Sequence, residues 1–273
     1  MSRTGASPSS GPGTRCTERH EPRHRGHVTQ PPPDDPGWGV RRTSFGSQAD
    51  AYARGRPPYP LEAIEWVLPA GARRVLDLAA GTGRLTERLL EVGLDVVAVE
   101  PLAEMRAHLP AGAQRLDGTA EALPLDDRSV DAVVVGQAFH WFDVPVAMAE
   151  IRRVLRLAGT VGLFWNMLDD SEPWIDRLAM ILVAEERASF LRNEQDAPYA
   201  GIDGMSAPER RLFRHAPIYD VERLVAFVHS RSQTILMPES ERHVMIEAVR
   251  DVVPAGEFPL PLICEAWRGL RQA

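Results

Sequence analysis

Between Val75 and Trp165 the chain alternates short apolar runs with amphipathic stretches, and that alternation restricts the fold more than any other feature. Val75-Leu76-Asp77-Leu78 and Asp95-Val96-Val97-Ala98-Val99 read as buried strands, as do Val130 to Gly136 and Thr160 to Trp165. Gln114-Arg115-Leu116 is a weaker third strand in the series. Between them, 84–92 reads as a helix with Leu85, Leu89 and Val92 on one face, and 102–109 as a second helix. A third helix over 143–156 brings Val146, Ala149, Val154 and Leu157 near one face. Strands that are apolar on both sides need helices on both sides. Right-handed crossovers then predict a doubly wound α/β domain with a mainly parallel sheet.

The flanks read differently. Residues 1–42 are rich in Pro, Gly, Ser, Arg and His and show neither helical nor strand period, so a disordered tail is expected. His20, His24 and His27 have helical spacing, but Pro22 and Gly26 speak against a helix there, and no metal site is expected. The globular pattern begins near Phe45, and 43–70 is read as an N-terminal segment with a helix at 61–68. Residues 71–168 hold the alternating core, and 169–273 read as the remainder of the same domain. In that remainder helices are expected at 173–187, 220–229 and 240–252, a loop or cap at 190–208 and a last strand from Pro259 to Trp267.

Composition removes several chemistries. Every one of the 31 basic residues is arginine. No lysine is present for a Schiff base, a P-loop or a general base. The net charge is −7, and the tail carries seven Arg against four acids, so the rest of the chain stands near −10. Such a surface does not suit nucleic-acid phosphates, and no nucleic-acid partner is expected. Cys16 and Cys264 share no metal or disulfide spacing, which fits a reducing, cytoplasmic setting. No apolar run has the length of a membrane span, so no membrane partner is expected either.

The chemistry concentrates at strand ends. Asp77-Leu78-Ala79-Ala80-Gly81-Thr82-Gly83 leaves the first strand as a turn of small residues, through which backbone approaches a ligand closely. Glu100 ends the second strand, where a carboxylate accepts hydrogen bonds from the hydroxyls of a ribose. Together they point to an adenosine-containing cofactor. A nicotinamide dinucleotide asks for G-x-G-x-x-G, and here Thr86 stands in place of the third glycine. An acid at Asp77 suits S-adenosylmethionine, which carries an ammonium group and a cationic sulfur.

On these residues, 45–165 resembles the class I S-adenosylmethionine-dependent methyltransferases. The likeness is to the type 11 domain and the small-molecule branch with trans-aconitate methyltransferase-like proteins. The resemblance implies a Rossmann-like sheet of seven strands and S-adenosylmethionine as cofactor. It further implies that Asp77, Ala79, Gly81 and Gly83 form the cofactor loop and that Glu100 takes the ribose. Glu100-Pro101 with Met105, and Thr119-Ala120-Glu121, correspond to the adenine side, and Gln137 to the end of the fourth strand. Phe45 to Pro60 resembles the family's lid, in which Tyr52 and Arg56 close over the methionine carboxylate or simply build surface. Ala79 departs from the family's first loop glycine, Thr119 from an acid at the adenine, and Leu157-Ala158-Gly159 from a Pro-Gly-Gly turn.

The acceptor is less legible. His140 follows the fourth strand, where it either faces a substrate as a general base or packs among Phe139, Trp141 and Phe142. Gln137-Ala138-Phe139-His140 is not the Asn/Asp-Pro-Pro-aromatic signature of adenine or glutamine methylation, and no Pro-Cys pair points to cytosine. The expected partner is a small-molecule methyl acceptor. A nicotinamide-linked oxidoreductase and a non-catalytic S-adenosylmethionine sensor are the rival readings. The oligomeric state is not readable.

Overall fold

A computed structural model describes residues 49–182 and 197–273. The N-terminal tail with Cys16, the three spaced histidines, Phe45, residues 183–187 of a predicted helix and the start of the predicted cap lie outside the described residues.

Helices α1 (Ala49–Gly55) and α2 (Leu61–Val67) lead into β1 (Arg74–Leu78), α3 (Arg84–Glu91), β2 (Asp95–Val99), α4 (Ala103–Arg106) and β3 (Gln114–Leu116). Then come β4 (Val130–Gly136), a 3-10 turn (Phe139–Trp141), α5 (Val144–Val154) and β5 (Leu155–Leu168). The remainder is α6 (Pro173–Ile181), β6 (Glu209–His215), β7 (Ile218–Tyr219), α7 (Val221–His229), α8 (Ser232–Ile235), α9 (Glu239–Val252), β8 (Phe258–Pro259) and β9 (Leu262–Leu270).

The strands form one seven-stranded sheet in the order β3-β2-β1-β4-β5-β9-β6, and β7 pairs separately with β8. From β3 to β5 every neighbouring pair is parallel. β9 runs antiparallel to both β5 and β6. This is the predicted doubly wound sheet of seven mainly parallel strands, and its strand order reverses between β1 and β4. Beyond the carboxyl ends of strands at such a reversal the backbone diverges and leaves a crevice.

The strands are apolar because they are enclosed on both faces. Val75, Leu76, Val96, Val97, Val133, Val134 and Leu163 are fully buried. One face packs with α5 through Ala147, Met148, Ile151 and Val154. The other packs with α2 and α3 through Ile64, Val67, Leu85 and Leu89. Asp131 staples the start of the sheet, since its Oδ2 accepts from the amides of Arg73 and Arg74, both at 2.9 Å.

Several expectations need correction. The face predicted for the helix over 143–156 is wrong: Val146 is 45% exposed, and Leu157 lies in β5 at 56%. The Asp143 carboxylate caps the helix by accepting from Val146 N, and the stretch is apolar enough to offer two faces. Packing on the sheet selects the other one. The helix predicted over 102–109 is reduced to α4. Val92 caps α3 rather than packing beneath it. The fifth strand begins at Leu155 and ends at Leu168, and the last strand is displaced to Leu262–Leu270. β6 was not foreseen. Its sequence Glu-Arg-Arg-Leu-Phe-Arg-His fits an exposed sheet edge, where charge discourages further pairing.

Among the described residues no helix is long and apolar enough to cross a membrane.

Candidate functional site

The ends of β1, β2 and β4 meet at the reversal of strand order and build one pocket of about 190 Å³. Two residues there adopt a backbone that side chains rarely take. Ala79, just past β1, has φ +54°, and Gln137, just past β4, has φ +56°. Such strain of about 1–3 kcal/mol per residue persists only where the surroundings enforce it, and it gathers at functional sites. Here Ala80 N donates to Val99 O at 3.1 Å and Gln137 N to Phe164 O at 2.9 Å, so each turn is tied to the neighbouring strand. Gly81 follows with φ +58°, and a Cβ built on it would stand 3.7 Å from both Met105 Cε and the Tyr52 ring. The turn therefore lies between α1 and α4.

Glu100 ends β2 on the pocket wall and is 5% exposed. Its Oε2 accepts from Gly81 N and its Oε1 from Leu102 N, both at 2.9 Å. A carboxylate has about four acceptor sites, so two remain for a ligand. Burial raises its pKa, while the Leu102 and Gly81 amides and the Arg106 guanidinium oppose the rise.

Asp77 is 1% exposed and accepts from Thr86 Oγ1 at 2.5 Å. Burial pushes its carboxyl up to about 7; the Thr86 hydroxyl opposes this and Glu100 reinforces it. It does not line the main pocket. It lines a narrow cavity of about 30 Å³ that shares Tyr52, Arg56, Ala79 and Gln137 with the main one. Gly83 also stays off both linings. It caps α3 at φ +93°, and a Cβ there would meet Pro110 Cδ at 2.5 Å. Its glycine serves the close approach of the Leu109-Pro110 segment.

The roof of the pocket is α1, which supplies Tyr52, with Arg56 just past its end. α1 is docked on α7. Gly55 has its Cα so near that helix that a Cβ would fall 2.1 Å from Phe227 N. Tyr219 Oη donates to Gly55 O at 2.6 Å, and Arg56 Nη2 to Ser230 O at 2.9 Å. The Arg56 guanidinium lies over the rings of Tyr52, at 4.8 Å, and Phe227, at 5.6 Å.

The remaining predicted residues line the same pocket. Pro101 and Met105 stand beside Glu100, with Met105 3% exposed. Thr119, Ala120 and Glu121 form the wall after β3, and Glu121 Oε1 accepts from Asp143 N at 3.1 Å. His140 lies on the 3-10 turn with its ring centroid 4.9 Å from that of Trp141, so it both lines the pocket and packs in the aromatic cluster. The lining also includes Leu78, Leu102, Gly118, Gly136, Ala138, Trp141, Phe142 and Ser232, which sequence reasoning did not assign to the site. Ser232 had no sequence signal, because it arrives from α8.

A doubly wound sheet with a buried carboxylate ending β2 beside a glycine turn defines the class: a domain that binds an adenosine-bearing cofactor at the switch point. Residues 76–163 match the family model described as a methyltransferase domain. An uncharacterized methyltransferase of Mycobacterium tuberculosis is 45% identical over 214 residues, covering 77% of this chain and 85% of that one. The fold is similar to that of a solved type II methyltransferase of Anaeromyxobacter dehalogenans, with a TM-score of 0.57 at 22% identity, over 79% of this chain and 97% of that one. It is also similar to a phosphoethanolamine N-methyltransferase of Haemonchus contortus solved with S-adenosylhomocysteine. That likeness has a TM-score of 0.52 at 14% identity and covers 86% of this chain and 59% of that one. The chain belongs to the class I S-adenosylmethionine-dependent methyltransferases. It is an enzyme whose cofactor is S-adenosylmethionine, and the nicotinamide reading is set aside.

Proposed function

We infer that the chain transfers the methyl group of S-adenosylmethionine to a small organic acceptor, as the trans-aconitate methyltransferase-like motifs imply. The observation that carries this reading is the roof over the pocket. Tyr52 and Arg56 line a space of about 190 Å³ together with Gly81 and Glu100. A concave space with apolar and aromatic walls and a few polar groups suits small-molecule ligands. Among the described residues Arg56 is the one arginine in its lining, which offers no basic track for a nucleic-acid backbone.

The donor set fits the cofactor. Glu100 is buried, stands on the wall and keeps acceptor capacity for the ribose hydroxyls. Met105, Pro101 and Ala120 offer apolar surface to the adenine, and Thr119 and Glu121 offer polar atoms at its edge. Asp77 provides a carboxylate for the methionine ammonium, while Tyr52 and Arg56 face its carboxylate. Ala79, Gly81 and Gln137 bring backbone close to the chain of the ligand. Gly83 shapes the turn without touching it. In this assignment 43–70 is the lid segment, 71–168 the cofactor core and 169–273 the part that closes the acceptor side.

The cofactor supplies a methyl group already activated by a sulfonium. The protein's task is then to hold an acceptor atom in line at about 3–3.5 Å and to keep water out. His140, Trp141, Phe142 and Ser232 also line the pocket, and in this reading they serve the acceptor. His140 takes a proton there if the acceptor is a phenol or amine that keeps it, and a carboxylate acceptor asks for no base. Calorimetry with S-adenosylmethionine, S-adenosylhomocysteine and NAD tests the cofactor assignment. Incubation with labelled cofactor and a panel of small acids, phenols and amines then tests the acceptor. Transfer to nucleic acid alone, with no small acceptor labelled, refutes the reading.

A further inference from the structure

Asn166 is out of place by local rules. It lies in β5 within Leu163-Phe164-Trp165-Asn166-Met167-Leu168 and is 6% exposed, although asparagine is depleted in strands and costly to bury unpaired. Three of its polar atoms have partners from distant segments. Its main-chain oxygen accepts from Gln137 Nε2 at 2.8 Å. Its Nδ2 donates to Pro58 O at 3.0 Å. Its Oδ1 lies 3.0 Å from His215 Nε2 at the end of β6. The orientation is forced, because a carbonyl only accepts. Nδ2 must face Pro58, Oδ1 must face His215, and His215 must therefore carry its hydrogen on Nε2.

These partners belong to three separate parts of the fold. Gln137 is the strained residue at the end of β4 and lines the pocket floor. Pro58 follows Arg56 and joins the roof helix α1 to α2. His215 anchors the arrangement to the sheet edge. We propose that Asn166 is a positioning residue, which holds the roof carrying Tyr52 and Arg56 at a set height above Gln137 and depends on His215 to keep its amide oriented.

Burial holds His215 neutral, its pKa down to about 4 against the pull of the Glu62 carboxylate and with help from Arg88. The amide thus has a steady donor near neutral pH. The inference rests on the cofactor reading only in its consequence for binding; the restraint on the roof stands apart from it.

The test compares Asn166→Leu, Asn166→Asp and His215→Ala with the wild-type chain. Two readouts are used: calorimetric affinity for S-adenosylmethionine, and the rate of tryptic cleavage after the exposed Arg54 in α1. Asn166→Leu is expected to weaken cofactor affinity at least tenfold and to speed that cleavage by a similar factor. His215→Ala is expected to shift both in the same direction by a few fold. Asn166→Asp sets an acceptor against Pro58 O, so its deficit relative to wild type should shrink as pH falls and the new carboxyl gains a proton able to donate. A residue that only supports the fold would give Asn166→Leu a lower melting temperature while the folded chain kept wild-type affinity and wild-type cleavage after Arg54. Wild-type affinity and cleavage in Asn166→Leu and His215→Ala would overturn the proposal, as would a pH-independent Asn166→Asp deficit. If the wild-type chain bound no S-adenosylmethionine, the cofactor reading would fall, and cleavage after Arg54 would still decide the role of Asn166.

Discussion

The Gly81 amide donates to Glu100 Oε2 at 2.9 Å, so the turn after β1 is tied to the end of β2 by a side chain that also walls the pocket. The other oxygen holds Leu102 N at the same distance. Glu100 thus has two tasks: it organises backbone on either side of the site and presents its remaining acceptor capacity to a ligand.

Replacing Glu100 by alanine should therefore affect both stability and binding. Hydrogen bonds to a charged group contribute about 1.5–3 kcal/mol each. Loss of the two backbone bonds should lower the melting temperature by several degrees, at roughly 2–4 °C per kcal/mol for a chain this size. Loss of the ribose contacts should cost at least about tenfold in S-adenosylmethionine affinity. Glu100→Gln keeps one acceptor oxygen, so it should melt closer to wild type and still bind weakly. Calorimetry and thermal melts of the two variants check this, and Glu100→Ala binding as tightly as wild type would refute the cofactor placement.

Asp77 makes stability depend on pH. Its folded pKa is raised from 3.8 to about 7, so the native state holds a proton that the unfolded chain releases. The contribution of Asp77 to stability should be greatest below about pH 4, decline as pH rises to about 7 and level off above it. Asp77→Asn should abolish that decline and stand above wild type in stability at pH 8. Urea unfolding across pH measures it. A wild-type chain whose stability rises from pH 4 to 7 in step with Asp77 would contradict this burial. Affinity for the cationic cofactor should move oppositely in the wild type, strengthening as Asp77 ionises.

Gly83→Ala separates turn geometry from ligand contact. The new methyl would sit against Pro110 Cδ at 2.5 Å with φ at +93°, so the variant should lose about 1–3 kcal/mol of stability. Because Gly83 lines neither cavity, the affinity of the folded fraction for S-adenosylmethionine should change by less than about threefold. A larger change in calorimetry at low temperature would return Gly83 to the binding loop.

His140→Ala should leave cofactor affinity nearly as it is if, as proposed, this pocket residue serves the acceptor and not the cofactor. Turnover should fall, or the acceptor KM rise, by about 10²–10⁴-fold if the imidazole takes a proton. Steady-state kinetics with the acceptor varied tells the two apart from simple loss of the Trp141 stacking, which would lower the melting temperature without a change in the pH–rate profile.

Much of this was legible along the chain because the relevant residues are near neighbours. A small-residue turn must follow a strand, and an acid at the end of the next parallel strand must come beside it; β1, β2 and their loops supply both within Asp77 to Glu100. Most of the residues singled out line the pocket for that reason. Helix α5 shows where local pattern fails, because an apolar helix with two available faces has its phase set only by the sheet it meets. β6 was missed because a polar edge strand lacks the apolar run that marks an interior one.

The amino-acid order by itself determined the class of sheet and the chemistry at its strand ends, since hydrophobic period and turn composition act over a few residues. Only the tertiary structure decided that Pro58, Gln137, Asn166 and His215 meet, that Ser232 enters the pocket and that Gly55 beds on Phe227. Those contacts join segments far apart in sequence, and no local preference encodes them. They exist because burial of the sheet and of the α1–α7 junction brings the segments to one place, where most buried polar atoms find a partner.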